Sequence, residues 1–540
     1  MRTKDLIEKR KRRERKHMRS QKNNTVKQQV VETSVKEKYV LPADFPEEVL
    51  AELKHLPRFI SSEEILRRRD MRDILTFTID PEDAKDFDDA LSFVTLDNGN
   101  YQIGIHIADV THYVPEGSAV DEEAYQRGTS IYLVDRVIPM LPERLCNELC
   151  SLRPHEDKAC MSVIVEMDAH AKVVRHKICR TVICSDYRLT YQQAQQYIEG
   201  NITDSTHDSE NLSHVLPLLN KLAQQLRSKR FERGAINFET PEVRFRLDDD
   251  GNPIEILFRQ LTDANHLIEE FMLLANRIVA KEIGAKAKND HESSQPDKPF
   301  VYRIHDVPDP EKIAKLGTFI RQLGFQLRTS SKRSVQNKHI NSLLDSCQGT
   351  NSQTLIETLT IRSMSKAVYS TSNIGHYGLA FPYYTHFTSP IRRYPDMMVH
   401  RLLSKYLLQS KAPCRHDKEV LEEACVHCSD TEQMAQMAER DSTKEMQARW
   451  ISQHLGETFE GVISGVTEFG LFVQLRDTMT EGLVPIRTIE PHDYMQYDED
   501  NYCLIAARSG KTYTLSDSVR VRVVKADVER KQIDFVLVEE

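Results

Sequence analysis

The sequence predicts a multidomain chain in which a large mixed α/β (α+β) body is followed by a small all-β barrel. Its 540 residues exceed the roughly 150 residues of a typical domain several-fold. Helical and strand-like patterns alternate up to about residue 405, whereas short β-rich segments with Gly-marked turns begin at Gly456. Because 39% of the residues are hydrophobic and 29% are charged, the chain as a whole is neither disordered nor fibrous.

The first 39 residues form a basic segment that we interpret as a disordered tail. Residues 1–22 contain eleven Lys/Arg and three Asp/Glu, a net charge of +8. The whole chain carries −9, so residues 23–540 carry −17. The tail is either a source of sequence-independent attraction to phosphates or an inert solvated extension.

Targeting and redox signals point to the cytoplasm. No apolar core follows the basic start, and no run approaches the roughly 20 apolar residues of a membrane span, which excludes a secretory signal and a membrane anchor. The ten cysteines are scattered along the chain, which is typical of reduced thiols.

The elements follow in order. The lead-in segment has an N-cap at Ser61 or Ser62. A strand over 74–79 follows and ends in an acid-rich loop. Two further strands flank a DNGN turn, and a long helix covers 264–283. Residues 417–455 form one or two amphipathic helices. The expected division is tail 1–39, lead-in 40–73, catalytic body 74–455 and barrel 456–540.

The loop after the first strand concentrates carboxylates at Asp80, Asp86, Asp88 and Asp89. So many like charges are costly to pack together unless a cation neutralises them, and a hard divalent ion such as Mg²⁺ is the natural partner. Two such ions could clamp both oxygens of a phosphodiester that is being cleaved. The residues alone leave a solvated acidic turn as the alternative, whereas an EF-hand is excluded by its missing Gly and Glu.

A second polar segment, HFTSPIRRYPD, lies about 300 residues further on. Arg392 or Arg393 could contact a phosphate with a planar guanidinium fork and stabilise charge developing on it. The alternative is a structural Arg near the start of a helix.

Together these segments resemble the ribonuclease II and ribonuclease R family of RNB exoribonucleases, on its ribonuclease R side. The resemblance covers roughly residues 40–540. The segments that carry it are TIDPEDAKDFDDA (78–90), HIADVTHYV (106–114), RGTSIYLVDRVIPMLP (127–142), CSLRP (150–154), LIEEFMLLAN (267–276), YRIHDVPDP (302–310) and HFTSPIRRYPD (386–396).

The resemblance assigns roles to individual positions. It implies that the metal ligands are Asp80, Asp86, Asp88 and Asp89, and that the catalytic residues are Asp88, Asp89 and Arg392. For RNA binding it implies Tyr132, Tyr191, Phe238 and Glu270. From the residues alone, Tyr191 and Phe238 are more typical of core aromatics.

The last 85 residues resemble the OB-fold RNA-binding module named after a ribosomal small-subunit protein. Phe469 and Phe472 lie where that module stacks bases, and barrel core is the alternative for both. Pro485 replaces the usual His, and the segment carries nine Lys/Arg against sixteen Asp/Glu. Weak RNA binding is therefore expected. The two N-terminal cold-shock domains of ribonuclease R relatives do not fit into residues 1–39.

The expected function is 3′-to-5′ hydrolysis of single-stranded RNA to nucleoside 5′-monophosphates by a Mg²⁺-dependent two-metal mechanism, in RNA degradation. Mn²⁺ is the alternative ion. The alternative function is that of a catalytically inactive RNA-binding regulator of the same family. We expect a cytoplasmic monomer that binds RNA 3′ ends, with the ribosome and other RNA-decay factors as candidate partners and no membrane contact.

Overall fold

A seven-stranded sheet forms the centre of the body. The structure, a computed structural model, describes residues 39, 41–42, 44–201, 207–238, 242–285, 298–328, 333–350, 352–408, 415–490, 492–498 and 502–538. The elements below belong to the compact unit 42–540. The predicted basic tail lies outside the described residues, apart from Tyr39.

The sheet has the strand order β1-β8-β7-β4-β3-β2-β9, and it is antiparallel except that β1 pairs with β8 and β2 with β9 in parallel. The DNGN turn joins β3 to β4, and Gly99 adopts the positive φ of +79° that this turn requires. The strands of the sheet, with the hairpin β5–β6, are β1 Arg69–Asp70, β2 Thr76–Asp80, β3 Asp89–Thr95, β4 Tyr101–Ala108, β5 Ile131–Tyr132, β6 Val137–Ile138, β7 Asp157–Met167, β8 Val173–Cys184 and β9 Tyr187–Thr190.

Helices cover the sheet. The long helix predicted over 264–283 is confirmed as Asp263–Gly284, and its apolar residues join the same buried cluster as the central strands. The helices of the first half are α1 Glu47–Lys54, α2 Ser62–Arg67, α3 Val110–Tyr113, α4 Ala119–Arg127, α5 Tyr191–Glu199, α6 His207–Glu232 and α7 Asp263–Gly284, with a π-helical turn at Arg144–Leu149. In the described part of the chain, no helix is long and apolar enough to cross a bilayer.

Two small sheets and a further set of helices complete the body. The strands are β10 Glu242–Leu247, β11 Pro253–Arg259, β12 Tyr302–His305 and β13 Ala367–Ser370. The helices are α8 Pro310–Gln322, α9 Arg333–Cys347, α10 Gln353–Ser363, α11 Tyr394–Leu403, the π-helical turn Ser404–Leu408 and α12 Arg415–Ser452. The pattern over 417–455 thus forms one helix, α12, which ends at Ser452.

The C-terminal region is a closed five-stranded barrel, which confirms the predicted OB-type fold. Its strands are β14 Thr458–Thr467, β15 Gly470–Leu475, β16 Glu481–Pro485, β20 Ser518–Asp527 and β21 Gln532–Leu537. A helix and a three-stranded sheet are inserted after β16: α13 Ile486–Ile489, β17 Met495–Asp498, β18 Cys503–Ala506 and β19 Thr512–Thr514. The barrel core forms one apolar cluster with α8–α10 and the end of α12.

The lead-in segment packs as part of the central body and is not a separate unit. Ser61 caps α2 as predicted, by accepting a hydrogen bond from the Glu64 amide. Directly after α2, the fully buried guanidinium of Arg68 pairs with the equally buried Asp109 at 2.8 Å between Nη2 and Oδ2. Burial alone would raise the pKa of Asp109, but the charges of Arg68 and Arg180 outweigh it and lower the pKa to about 2.

We predict that Asp109→Ala destabilises the protein by about 3 kcal/mol, because it removes the fully buried partner of Arg68 and leaves that guanidinium with Glu64 as its remaining carboxylate partner. The control is Asp157→Ala, which breaks an exposed pair with Arg72 and should cost about 1 kcal/mol or less. Chemical unfolding measures both. Equal losses would contradict the prediction.

The lowered pKa of Asp109 also predicts a pH dependence. The unfolded carboxyl titrates near pH 4. The stability of the unsubstituted protein relative to Asp109→Asn should therefore be constant above about pH 5. It should then fall as the pH drops from about 4 towards 2, where the folded carboxyl is protonated. Thermal unfolding of both proteins across this range measures the effect.

Candidate active site

The carboxylate loop spans the gap between two neighbouring strands of the sheet. Asp80 is the last residue of β2, and Asp89 is the first residue of β3. The loop between them is fixed from two sides. Ser151 accepts a hydrogen bond from the Phe87 amide at 3.0 Å and donates one to the Lys85 carbonyl at 2.8 Å. Arg188, on β9, donates to the carbonyls of Pro81 and Glu82.

Asp88 joins this loop to the segment that carries Arg392. The amide of Ile391 donates a hydrogen bond of 2.9 Å to Asp88 Oδ1, across 303 residues of sequence. Arg392 Nε lies 3.7 Å from Asp88 Oδ2. The Asp88 side chain is 7% exposed and that of Arg392 is 42% exposed. Arg392 therefore combines one contact to a buried carboxylate with an accessible guanidinium face.

The loop before α11 is held by a carboxylate that the sequence analysis missed, Asp396. This fully buried side chain accepts hydrogen bonds of 2.8 Å from the Ser389 amide and from Arg393 Nη2. Arg392 Nη2 in turn donates to Ser389 Oγ at 3.0 Å. The two arginines thus differ in their partners: Arg393, whose side chain is 17% exposed, pairs with Asp396, whereas Arg392 pairs with Asp88 of the carboxylate loop.

The four predicted metal ligands interact with one another electrostatically and are half-buried or buried. Burial raises the pKa of Asp80 well above its ordinary value, and the charges of Asp89 and Asp86 raise it further. Burial also raises the pKa of Asp86 and Asp88, and that of Asp89 to about 6, against the opposing attraction of Arg392. The negative charge of the cluster is therefore disfavoured in the protein alone, and Arg392 offsets this only in part.

This donor set fits a hard divalent cation. Asp80 Oδ2 is buried and has no hydrogen-bond partner within the described ranges. No group of three or more His, Cys, Asp and Glu side chains in those ranges is already arranged to hold an ion. A Mg²⁺ site does not require such a cage, because the ion keeps waters and substrate phosphates among its ligands.

Tyr132 lies beside the cluster on the hairpin β5–β6. Burial raises its pKa, and its hydroxyl is subject to the charges of Arg392, Asp86 and Asp88. The residue is nevertheless 41% exposed, so part of it is accessible to a ligand. Its amide donates to Glu439 Oε1 on α12 at 2.9 Å. No pattern in the sequence pointed to Glu439, because its role depends only on where α12 packs.

Hydrogen bonds join the segment of the β5–β6 hairpin, which carries Tyr132, directly to the loop that carries Arg392. Thr129 Oγ1 and the Ser130 amide both donate to the Arg392 carbonyl at 3.0 Å. The Tyr394 amide donates to the Gly128 carbonyl, also at 3.0 Å. These bonds set the position of Tyr132 relative to Arg392.

The remaining predicted RNA-binding residues divide into two groups. Tyr191, at the start of α5, is half-buried, and its hydroxyl is subject to the charges of Asp89 and Asp80, which places it at the cluster. Glu270 is buried in an ion pair with Arg230, at 2.9 Å between Oε1 and Nε. Phe238 packs against the apolar cluster shared by the barrel and α8–α10. Among the described residues, an electrostatic interaction with the carboxylates is thus found for Tyr191 but not for Glu270 or Phe238.

The two barrel phenylalanines differ in exposure. Phe469, in the turn between β14 and β15, is 68% exposed, which excludes barrel core for its ring. Phe472, on β15, is half-buried and lines a groove beside the barrel. Both rings are therefore outside the barrel core.

Two family models match the chain: the RNB domain over residues 68–409 and the S1 RNA binding domain over residues 452–537. Ribonuclease R of Thermotoga maritima is 43% identical over 504 residues, which is 92% of this chain and 69% of that protein. The structure titled Mycoplasma genitalium RNase R in complex with ribose methylated single-stranded RNA has a TM-score of 0.85 at 27% identity, and the match covers 93% of this chain and 77% of that one.

Yeast Ssd1, a pseudonuclease, is also similar, with a TM-score of 0.65 at 22% identity over 84% of this chain and 54% of that chain. This likeness concerns the fold alone.

Fold and site together define an RNB-type 3′-to-5′ exoribonuclease, a hydrolase with a C-terminal S1 barrel. The chain belongs to the ribonuclease R family. The predicted family, fold class and enzyme class are confirmed, and the main function is supported over the inactive alternative.

We predict that Asp396→Ala destabilises the protein by about 3 kcal/mol, because it removes the acceptor of a buried guanidinium and of the Ser389 amide. Asp83→Ala, which removes an exposed carboxylate of the acidic loop, should change stability by less than about 0.5 kcal/mol. Urea unfolding measures both variants. A loss of stability below about 1 kcal/mol in Asp396→Ala would show that other contacts hold the loop.

Proposed function

We propose that this protein hydrolyses single-stranded RNA from its 3′ end to nucleoside 5′-monophosphates with Mg²⁺ as cofactor. The observation that carries the proposal is the junction of Asp88 with Ile391 and Arg392, which places an accessible guanidinium beside the buried Asp88 and the half-buried carboxylates around it. The body 74–455 would carry the chemistry, and the barrel 456–540 would bind RNA.

Asp80, Asp86, Asp88 and Asp89 would hold the divalent ions. The chemistry that two such ions supply is activation of a water and stabilisation of the attacking and leaving oxygens of the phosphodiester. The raised pKa values of all four carboxyls support the assignment, because burial disfavours their ionised form and a bound cation would stabilise it.

The chain's own residues orient the RNA and stabilise charge. Arg392 is held by Asp88 and Ser389, so its exposed face is preorganised to donate to the scissile phosphate. Tyr132 would stack on the terminal base with its exposed ring face. Tyr191 would bound the site on the side of Asp80 and Asp89. Tyr132 and Tyr191 restrict the end of the RNA without reading its sequence.

The proposed setting is the cytoplasm, with RNA as partner and the ribosome or RNA-decay factors as further candidates. The cysteines of the described residues are free thiols, which supports a reducing compartment.

We predict that Asp88→Asn lowers the rate of mononucleotide release by at least about 10²–10³-fold. Asn retains an oxygen for the Ile391 amide, so the variant should fold while losing the charge. The matched control is Asp83→Asn, on the same loop but exposed, which should retain full activity. End-labelled single-stranded RNA with Mg²⁺ measures the products.

The same assay separates the proposal from the regulatory alternative. If the unsubstituted protein bound RNA but released no mononucleotide with Mg²⁺ or Mn²⁺, the enzymatic proposal would be rejected.

We predict opposite effects of Asp80→Asn on the metal-free and the Mg²⁺-bound protein. Without Mg²⁺ the variant should melt at a higher temperature, because it removes a repulsive buried charge. With Mg²⁺ at about 100 times its dissociation constant, the unsubstituted protein should gain about 2.7 kcal/mol and the variant much less. Glu82→Gln, exposed on the same loop, is the control. An equal Mg²⁺ response in all three proteins would contradict the assignment.

A further inference from the structure

A groove with a volume of about 540 Å³ lies between the barrel and the helices α8 and α10. Its helical wall contributes Leu316, Phe319 and Leu359, and its barrel wall contributes residues 464–467 and Phe472. The groove is therefore built from two parts of the chain, neither of which forms it alone.

The helical wall of the groove carries three cations. Lys312, Lys315 and Arg362 line the groove and are exposed. None of them has an ion-pair or hydrogen-bond partner in the part of the chain that the structure describes. Lys312 and Lys315 lie three residues apart on one face of α8, so their charges repel each other. An anion in the groove would relieve this repulsion.

The charge of the two walls is opposite. The groove residues of α8 and α10 include three cations, Lys312, Lys315 and Arg362, whereas the barrel 456–540 carries a net charge of −7. The only carboxylate among the groove residues is Glu481, which accepts a hydrogen bond from Ser464 Oγ at 2.7 Å. Positive charge for an anionic ligand thus comes from the helices and not from the barrel.

Aromatic rings face the same groove. Phe472 lies opposite Gly465 in the β14–β15 pair, and a Cβ atom at Gly465 would come within 3.3 Å of the Phe472 side chain. Glycine therefore leaves the sheet face open for this ring. Tyr502 is 39% exposed and meets Phe319 edge to face, at 5.0 Å between ring centroids. The groove thus offers flat apolar surfaces beside unpaired cations.

We propose that this groove is a composite binding site for single-stranded RNA, with a base against Phe472 and Tyr502 and neighbouring phosphates on Lys312, Lys315 and Arg362. Stacking surfaces next to cations are the combination that binds single strands without reading sequence. The barrel supplies the stacking and the helices supply the charge, so an acidic barrel can take part in binding a polyanion. The proposal rests on the proposed function, since it places RNA on this chain.

The test measures the binding of a 30-nucleotide RNA by fluorescence anisotropy at several salt concentrations. All proteins carry Asp88→Asn to prevent hydrolysis. One variant adds Lys312→Ala, Lys315→Ala and Arg362→Ala. Its control adds Arg321→Ala, Arg328→Ala and Lys338→Ala, which removes three exposed cations from the same region outside the groove. Both variants change the net charge by the same amount.

The groove variant should weaken binding at least about tenfold, and its salt slope should fall by about 2, since each lost phosphate contact on a single strand contributes about 0.7. The control variant should keep the slope within about 0.7 of the parent. Equal changes in the two variants would overturn the proposal, because they would reflect general attraction alone.

A second variant, Phe472→Leu, tests the stacking and should weaken binding about tenfold with an unchanged salt slope. Unchanged affinity would overturn the base contact. Binding of an acidic peptide that depends on the three cations, without such dependence for RNA, would also overturn the proposal. RNA hydrolysis by the unsubstituted protein is measured separately, so a failure of the proposed function does not affect this comparison.

Discussion

The hydrogen bond from the Ile391 amide to Asp88 Oδ1 is the contact on which the rest of the site depends. It joins the loop between β2 and β3 to the loop before α11, across most of the body. Asp88 is buried, so its carboxylate cannot obtain compensation from water and requires this partner. The bond also places Arg392 beside the carboxylates, because Arg392 is the next residue in the chain.

The supporting contacts extend this constraint outward. Asp396 holds the turn that precedes α11, Ser151 holds the carboxylate loop, and the hairpin of Tyr132 is bonded to the Arg392 backbone. Each of these donors or acceptors satisfies a polar group that burial would otherwise leave unpaired. The geometry of the site is therefore set by the same bonds that stabilise the interior.

Charge is distributed unevenly along the chain. This distribution explains how a chain with a net negative charge can act on a polyanion. The carboxylate loop concentrates negative charge where divalent ions fit, and those ions would reverse the local field. The barrel is acidic as a whole, yet the groove beside it is lined by three cations of α8 and α10, Lys312, Lys315 and Arg362. Local arrangement thus matters more than the net charge of −9.

The sequence alone determined the family, the order of the elements and the carboxylate quartet. Hydrophobic periodicity and turn residues predict β2, α7 and the barrel because these depend on local spacing. Only the tertiary structure showed that Arg393 pairs with Asp396 while Arg392 faces the site. The two residues are adjacent in the chain and of the same type, so only the packing of the loop distinguishes them. It likewise decided that Glu270 is paired with Arg230, that Glu439 holds the Tyr132 amide, and that Lys312 and Phe472 share a groove. Such contacts join segments far apart in the chain, and their formation depends on packing that no local pattern encodes.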